Sequence, residues 1–218
     1  MFKVSLFLLS LITFLIFTIF SYTVAKENWQ QIDFDTTVKL QDRIPREYDE
    51  LFSYFSLIGS VEITFGIAAV LALWSLFRLK ILPFLGWLMI IPATIVEVFG
   101  KLMLFHPSTP VLFHRNVLET DLPSFYVHTN FSYPSGHMTR SAFFITIFFL
   151  LLFFKLKQPS LKILLIGLLI FLGFMMAATR IYLGEHWLSD VIGGWLLGIS
   201  SGLFASMFIL GKKYVKIR

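Results

Sequence analysis

Six apolar runs, each long enough to cross a bilayer, constrain this chain more than any other feature. A bilayer core holds no water to satisfy free backbone N–H and C=O groups, so such runs must form helices that satisfy their own backbone. The runs lie at approximately 4–24, 54–77, 81–99, 138–154, 161–178 and 187–210. They predict an all-α fold, a polytopic bundle of six transmembrane helices forming a single domain over 1–218. Composition agrees, because 57% hydrophobic residues against 14% charged is too apolar for an ordinary soluble domain. Thr23-Val24-Ala25 loosely resembles a signal-peptide cleavage site. A signal peptide's apolar core is only about 7–15 residues, shorter than this run, so the first span is expected to be retained.

Charge then orients the bundle. Six spans put both termini on one side. Lys3, Arg78, Lys80, Lys155, Lys157, Lys162 and the terminal cluster Lys212, Lys213, Lys216 and Arg218 all fall there. That side is cytoplasmic by the positive-inside rule. The net charge of +5 is thus a matter of topology and does not point to nucleic acid. The absence of cysteine excludes disulfides and thiolate metal sites. The polar segments 26–51, 101–140 and 179–185 lie on the opposite, extracytoplasmic side. The first is acidic and reads as a solvated loop containing a short interfacial helix, with Pro45 suited to the first turn of a new helix. No chemistry is assigned to it. Glu97 stands four residues before Lys101, as a structural ion pair requires, and Glu62 reads as a packing polar group. Gly194, Gly198 and Gly202 make a small-residue stripe for close helix packing.

The second polar segment contains His106, His114-Arg115-Asn116 and His128. It ends in Tyr133-Pro134-Ser135-Gly136-His137, just before the fourth span. A helix starting near Ser135 leaves its first N–H groups without intrahelical partners, and such an end attracts anions. Gly136 leaves room beside the backbone, and His137 can carry a proton near neutral pH. The strongest signal is Arg180-x5-His186-x3-Asp190. His186 and Asp190 are one helical turn apart, so a carboxylate can hold one ring nitrogen and leave the other as nucleophile or base. The planar fork of Arg180 suits phosphate oxygens. Lys101 adds a cation on the same face. Two histidines, a carboxylate, cations and a helix N-terminus suit metal-free phosphoryl transfer. No carboxylate cluster or His-x-x-x-His spacing suggests a metal, and no cofactor is expected.

Lys101, the Tyr133–His137 turn and Arg180-x5-His186-x3-Asp190 together resemble the three motifs of the type 2 phosphatidic acid phosphatase superfamily. The resemblance runs from the third span to the sixth. It implies a six-helix membrane bundle with an extracytoplasmic site and a lipid phosphate or diphosphate as substrate. It implies that His186 is the nucleophile forming a phosphohistidine, oriented by Asp190, and that His137 protonates the leaving group. Lys101, Ser135, Gly136 and Arg180 would bind phosphate. Two departures stand out. Where the first motif has Arg-Pro after six residues that follow its lysine, this chain has Ser108-Thr109, with Pro110 one position later. Arg115 and Arg140 are the candidate substitutes. Thr179 stands where the family has serine. The leading expectation is a lipid phosphatase acting on phosphatidic acid, phosphatidylglycerol phosphate or a polyprenyl diphosphate. A lipid phosphotransferase and a non-catalytic lipid-binding or transport protein are the alternatives.

Overall fold

The computed structural model describes residues 2–118 and 131–211; His128 and the basic residues after Gly211 lie outside them. The described residues form α1 (Phe2–Ala25), α2 (Gln30–Arg43), α3 (Asp49–Ser56), α4 (Val61–Phe77), α5 (Ile81–Leu88), α6 (Ile90–Met103), α7 (Gly136–Lys155), α8 (Pro159–Tyr182) and α9 (Leu188–Ile209). No strand occurs among them. Six helical stretches are long and apolar enough to cross a membrane: α1, Arg46–Phe77, Ile81–Met103, α7, α8 and α9. The all-α, six-span architecture expected from hydropathy is the one observed.

The boundaries differ from hydropathy where a helix is polar or bends. The second span begins at Arg46, directly after Pro45, because its first turns are helical but carry Arg46, Glu47, Asp49 and Glu50. The third breaks at Met89 and runs on to Met103. The fifth continues to Tyr182, so Thr179 and Arg180 lie in the last helical turn and not in the connection. That connection turns at Gly184, whose φ is +65°. A side chain there would also strike the backbone of Phe113, so glycine is required twice over.

In lipid, exposing an apolar side chain costs little, so helices associate through close packing and polar contacts. α9 is the central helix, with half of its apolar window buried, against 11% for α8. Its glycine stripe faces α7 directly. A Cβ at Gly194, Gly198 or Gly202 would run into the carbonyl oxygens of Ser135, Thr139 and Phe143 respectively. The stripe therefore packs helices, as its spacing suggested. α1 is fixed to α9 by paired serines, with Ser10 Oγ donating to Ser200 O and Ser200 Oγ to Ser10 O, both at 2.9 Å. Higher up, Ser21 Oγ lies 2.8 Å from Tyr133 Oη.

α2 is the short helix expected within residues 26–51, but it is packed into the bundle and corrects the reading of that segment as solvated. It packs against α8 and α9 with an inverted face: Asp33 and Thr37 are buried, while Ile32 and Phe34 are about half exposed (48% and 49%). Gln41 Nε2 donates to Phe113 O at 2.7 Å and Tyr182 O at 2.8 Å. A polar inner face escapes hydropathy, which looks for the opposite pattern. Because successive spans alternate direction, α2, the end of α6, the start of α7, the end of α8 and the start of α9 meet at one end of the bundle.

Candidate active site

That polar end is assembled around two helix starts. At α7, Ser135 is the N-cap, its hydroxyl accepting from Met138 N at 3.5 Å. Its own N–H donates to Asp190 O at 2.9 Å, which clamps the Tyr133–His137 turn directly to α9. At α9, the Asp190 carboxylate caps the helix by accepting from Trp187 N at 3.0 Å through Oδ2. The same oxygen lies 3.2 Å from His186 Nδ1. With Nδ1–H donated to Asp190, the lone pair of His186 is on Nε2. Burial, followed by the charges of Arg180 and Lys101, pushes the His186 imidazolium well below the usual histidine range. The ring is therefore neutral at neutral pH.

The cations come from other helices. Lys101, in the last turn of α6, pairs with Glu97 at 2.9 Å, the ion pair its spacing predicted. Glu97 also takes Arg140 Nη1 at 3.0 Å, and Arg140 Nε and Nη2 donate to Gly59 O at 3.3 and 3.2 Å. The space left by Gly136 is filled by this network: a Cβ there would meet the Glu97 carboxylate and Arg140 Nη1. Arg180, only 2% exposed, is held by the Glu185 carboxylate and the Ser56 hydroxyl. His137, in the first turn of α7, lies in the fields of Arg180, Arg140, His186 and Lys101, so both histidines share one cationic surrounding.

The fold thus gathers Lys101, Ser135, Gly136, His137, Arg140, Arg180, His186 and Asp190 at one end. Arg115 is anchored beside them, donating to Gln41 O and Tyr182 Oη at 3.1 Å each with its guanidinium over the Tyr182 ring. Among the described residues no group of three His, Asp or Glu side chains has metal-ligand geometry. Sequence reasoning passed over Ser56, Glu185, Ser189, His106 and Asp33. The last three form a buried cluster behind Asp190, in which Asp33 Oδ1 and Oδ2 accept from Ser189 N at 2.8 Å and Ser189 Oγ at 2.7 Å. Burial raises the Asp33 carboxyl from 3.8 to about 6, against the lowering effect of the Ser189 bonds. The available signal was the spacing of Asp33, Thr37 and Leu40 on one face of a helix.

Solved structures share the fold. The first transmembrane PAP2 type phosphatidylglycerolphosphate phosphatase from Bacillus subtilis superposes with a TM-score of 0.72 at 17% identity, covering 96% of this chain and 98% of that one. Aquifex aeolicus LpxE superposes with a TM-score of 0.56 at 22% identity, covering 80% and 94%. At these identities the likeness is one of fold. No curated protein matches the chain in sequence. The PAP2 superfamily model, however, matches residues 85–213, a stretch that contains Lys101, the Ser135 turn and the Arg180–Asp190 segment, and the chain belongs to that superfamily.

Proposed function

We propose that this protein is a lipid phosphatase, hydrolysing a phosphate monoester or diphosphate on a lipid carrier through a phosphohistidine at His186. The observation that carries the reading is the 3.2 Å contact between His186 Nδ1 and Asp190 Oδ2 in a cationic surrounding. Nε2 attacks phosphorus in line while the bond to the lipid oxygen breaks, and His137 delivers its proton to that oxygen. In the second half-reaction His137 takes a proton from water. The water oxygen then displaces His186, releasing inorganic phosphate and restoring both rings. Lys101, Arg180 and the N–H groups at the start of α7 neutralise the non-bridging oxygens. Arg140, bound to Glu97 next to Gly136, is the better placed substitute for the first-motif arginine. Arg115 serves the site from its rim. Glu97 and Glu185 already hold these cations, and an incoming phosphate competes with both carboxylates. Substrate reaches the site from the extracytoplasmic leaflet, since the polar end lies opposite Lys3, Arg78, Lys80 and Lys155.

Phosphatidic acid, phosphatidylglycerol phosphate and polyprenyl diphosphate in mixed micelles, without added metal, form the test panel. Purified protein is expected to release inorganic phosphate from at least one, and His186→Ala to reduce release to background. Undiminished release by His186→Ala overturns the mechanism. A labelled lipid diphosphate offered with a lipid acceptor distinguishes hydrolysis from transfer.

A further inference from the structure

His106, from the chain that follows α6, closes a polar relay behind the His186–Asp190 pair. Its Nε2 lies 3.2 Å from Ser189 Oγ, 3.5 Å from Asp190 Oδ1 and 3.8 Å from Asp33 Oδ2. His106, Asp33, Ser189 and Asp190 are 5%, 2%, 0% and 0% exposed, so bulk water screens none of them.

Proton counting fixes the direction of the relay. Ser189 has a single hydroxyl proton, and above about pH 6 the Asp33 carboxylate can only accept. At 2.7 Å that proton belongs to Asp33 Oδ2. Towards His106, Ser189 Oγ is therefore an acceptor, and the proton between them must sit on His106 Nε2. Nε2 also stands 3.5 Å from Asp190 Oδ1, facing it without hydrogen-bond geometry. This oxygen is buried and makes no hydrogen bond of normal geometry among the described residues, and the Ser132 side chain also acts on the carboxylate. Asp190 is thus gripped on one oxygen by His186 and Trp187 and faced on the other by His106.

We propose that His106 is a positioning residue for the nucleophile: its Nε2–H, polarised through Ser189 by Asp33 of α2, keeps the Asp190 carboxylate ionised and aimed at His186. The inference rests on the phosphohistidine reading above. As Nε2 of His186 bonds to phosphorus, positive charge develops on the ring, and Asp190 must stay ionised to balance it. An N–H facing the rear oxygen at 3.5 Å lowers the tendency of Asp190 to take a proton and resists rotation of the carboxylate. The groups facing His106 are Asp33 from α2, Ser189 and Asp190 from α9, and the Tyr133 ring with its centroid 6.4 Å away. Those acting on His186 are Arg180, Lys101, Glu97, Arg140 and, through direct contact, Asp190.

His106→Gln can place an amide N–H where Nε2 stands, whereas His106→Leu cannot. Both variants are compared with wild type and His186→Ala in phosphate release from about pH 5 to pH 9, with thermal unfolding recorded in the same detergent. Activity of wild type and its loss in His186→Ala verify the underlying reading separately from this one. His106→Leu is expected to lower kcat roughly tenfold or more, to leave KM within about threefold, and to move the acid limb of kcat/KM upward by roughly one pH unit. His106→Gln is expected to hold kcat within a few-fold of wild type with the wild-type limb. The proposal is overturned if His106→Leu keeps wild-type kcat, or if it lowers activity equally at every pH with an unmoved limb. It is also overturned if a stably folded His106→Gln is as impaired as His106→Leu.

Discussion

Asp190 performs two tasks with one carboxylate. It caps α9 through Trp187 N and it holds Nδ1 of His186, so the residue that caps the helix also orients the His186 ring. Spacing in the sequence was enough to pair His186 with Asp190, although the contact is made by the capping carboxylate reaching back to a residue just before α9 and not within a helical turn. It could not pair Asp33 with Ser189, which are 156 residues apart and meet only through the tertiary fold. Asp33 has a measurable consequence. Its carboxyl is raised from 3.8 to about 6 by burial, so at about pH 5 the folded chain keeps a proton that the unfolded chain has released. The Asp33 contribution is therefore complete below about 3.8 and is lost as pH rises through about 6. Asparagine has no such titration, and the other ionisable groups are common to both proteins. In Asp33→Asn, stability relative to wild type should rise by roughly 1–2 kcal/mol between about pH 5 and pH 7.5. Paired thermal-unfolding curves across that range check it, and a constant difference contradicts the buried, raised carboxyl.

At the scale of elements, the glycines separate into those that let helices touch and those that do not. Gly198 is pressed against α7, where an added Cβ would meet the Thr139 carbonyl and come within 2.6 Å of Ala142 Cβ and 3.0 Å of Phe143 N. Two of these neighbours are backbone, which cannot rotate away, so the helices must part. Gly66 on α4 has nothing within 4 Å. Gly198→Leu should destabilise the bundle by roughly 2–4 kcal/mol or prevent its assembly, whereas Gly66→Ala should be neutral or stabilise by up to about 1 kcal/mol through helix propensity. Thermal unfolding in detergent compares them, and equal effects would remove the distinction. The four-residue spacing revealed this stripe in the sequence, because small residues on one helix face have few other uses in a membrane. The same logic fails for α2. Its buried positions are polar and its exposed ones apolar, so a pattern that seeks an apolar inner face reads the helix inside out.

At the scale of the molecule, six spans, one polar end and one basic end follow from a single alternation along the sequence. Hydropathy exposed that alternation because lipid leaves long apolar helices little structural choice. The polar network at the end was only partly legible, since its members come from α2, α3, α6, α7, α8, α9 and the connections between them. Orientation is where the whole-molecule argument can be put to direct test. Lys26 follows α1 at the polar end, and Arg78 follows α4 at the opposite end. The chain contains no cysteine, so a single introduced thiol reports one position without background. In intact cells expressing the chain, Lys26→Cys should react with a membrane-impermeant maleimide, whereas Arg78→Cys should react only after the membrane is permeabilised. This outcome puts the His186 pocket on the extracytoplasmic face, where a lipid phosphate of the outer leaflet can enter it. The reverse labelling pattern would place the pocket in the cytoplasm and confine its substrates to inner-leaflet lipids. Positive-inside bias favours the first result, because the basic residues Arg78, Lys80, Lys155, Lys157 and Lys162 all flank spans at the end remote from the site.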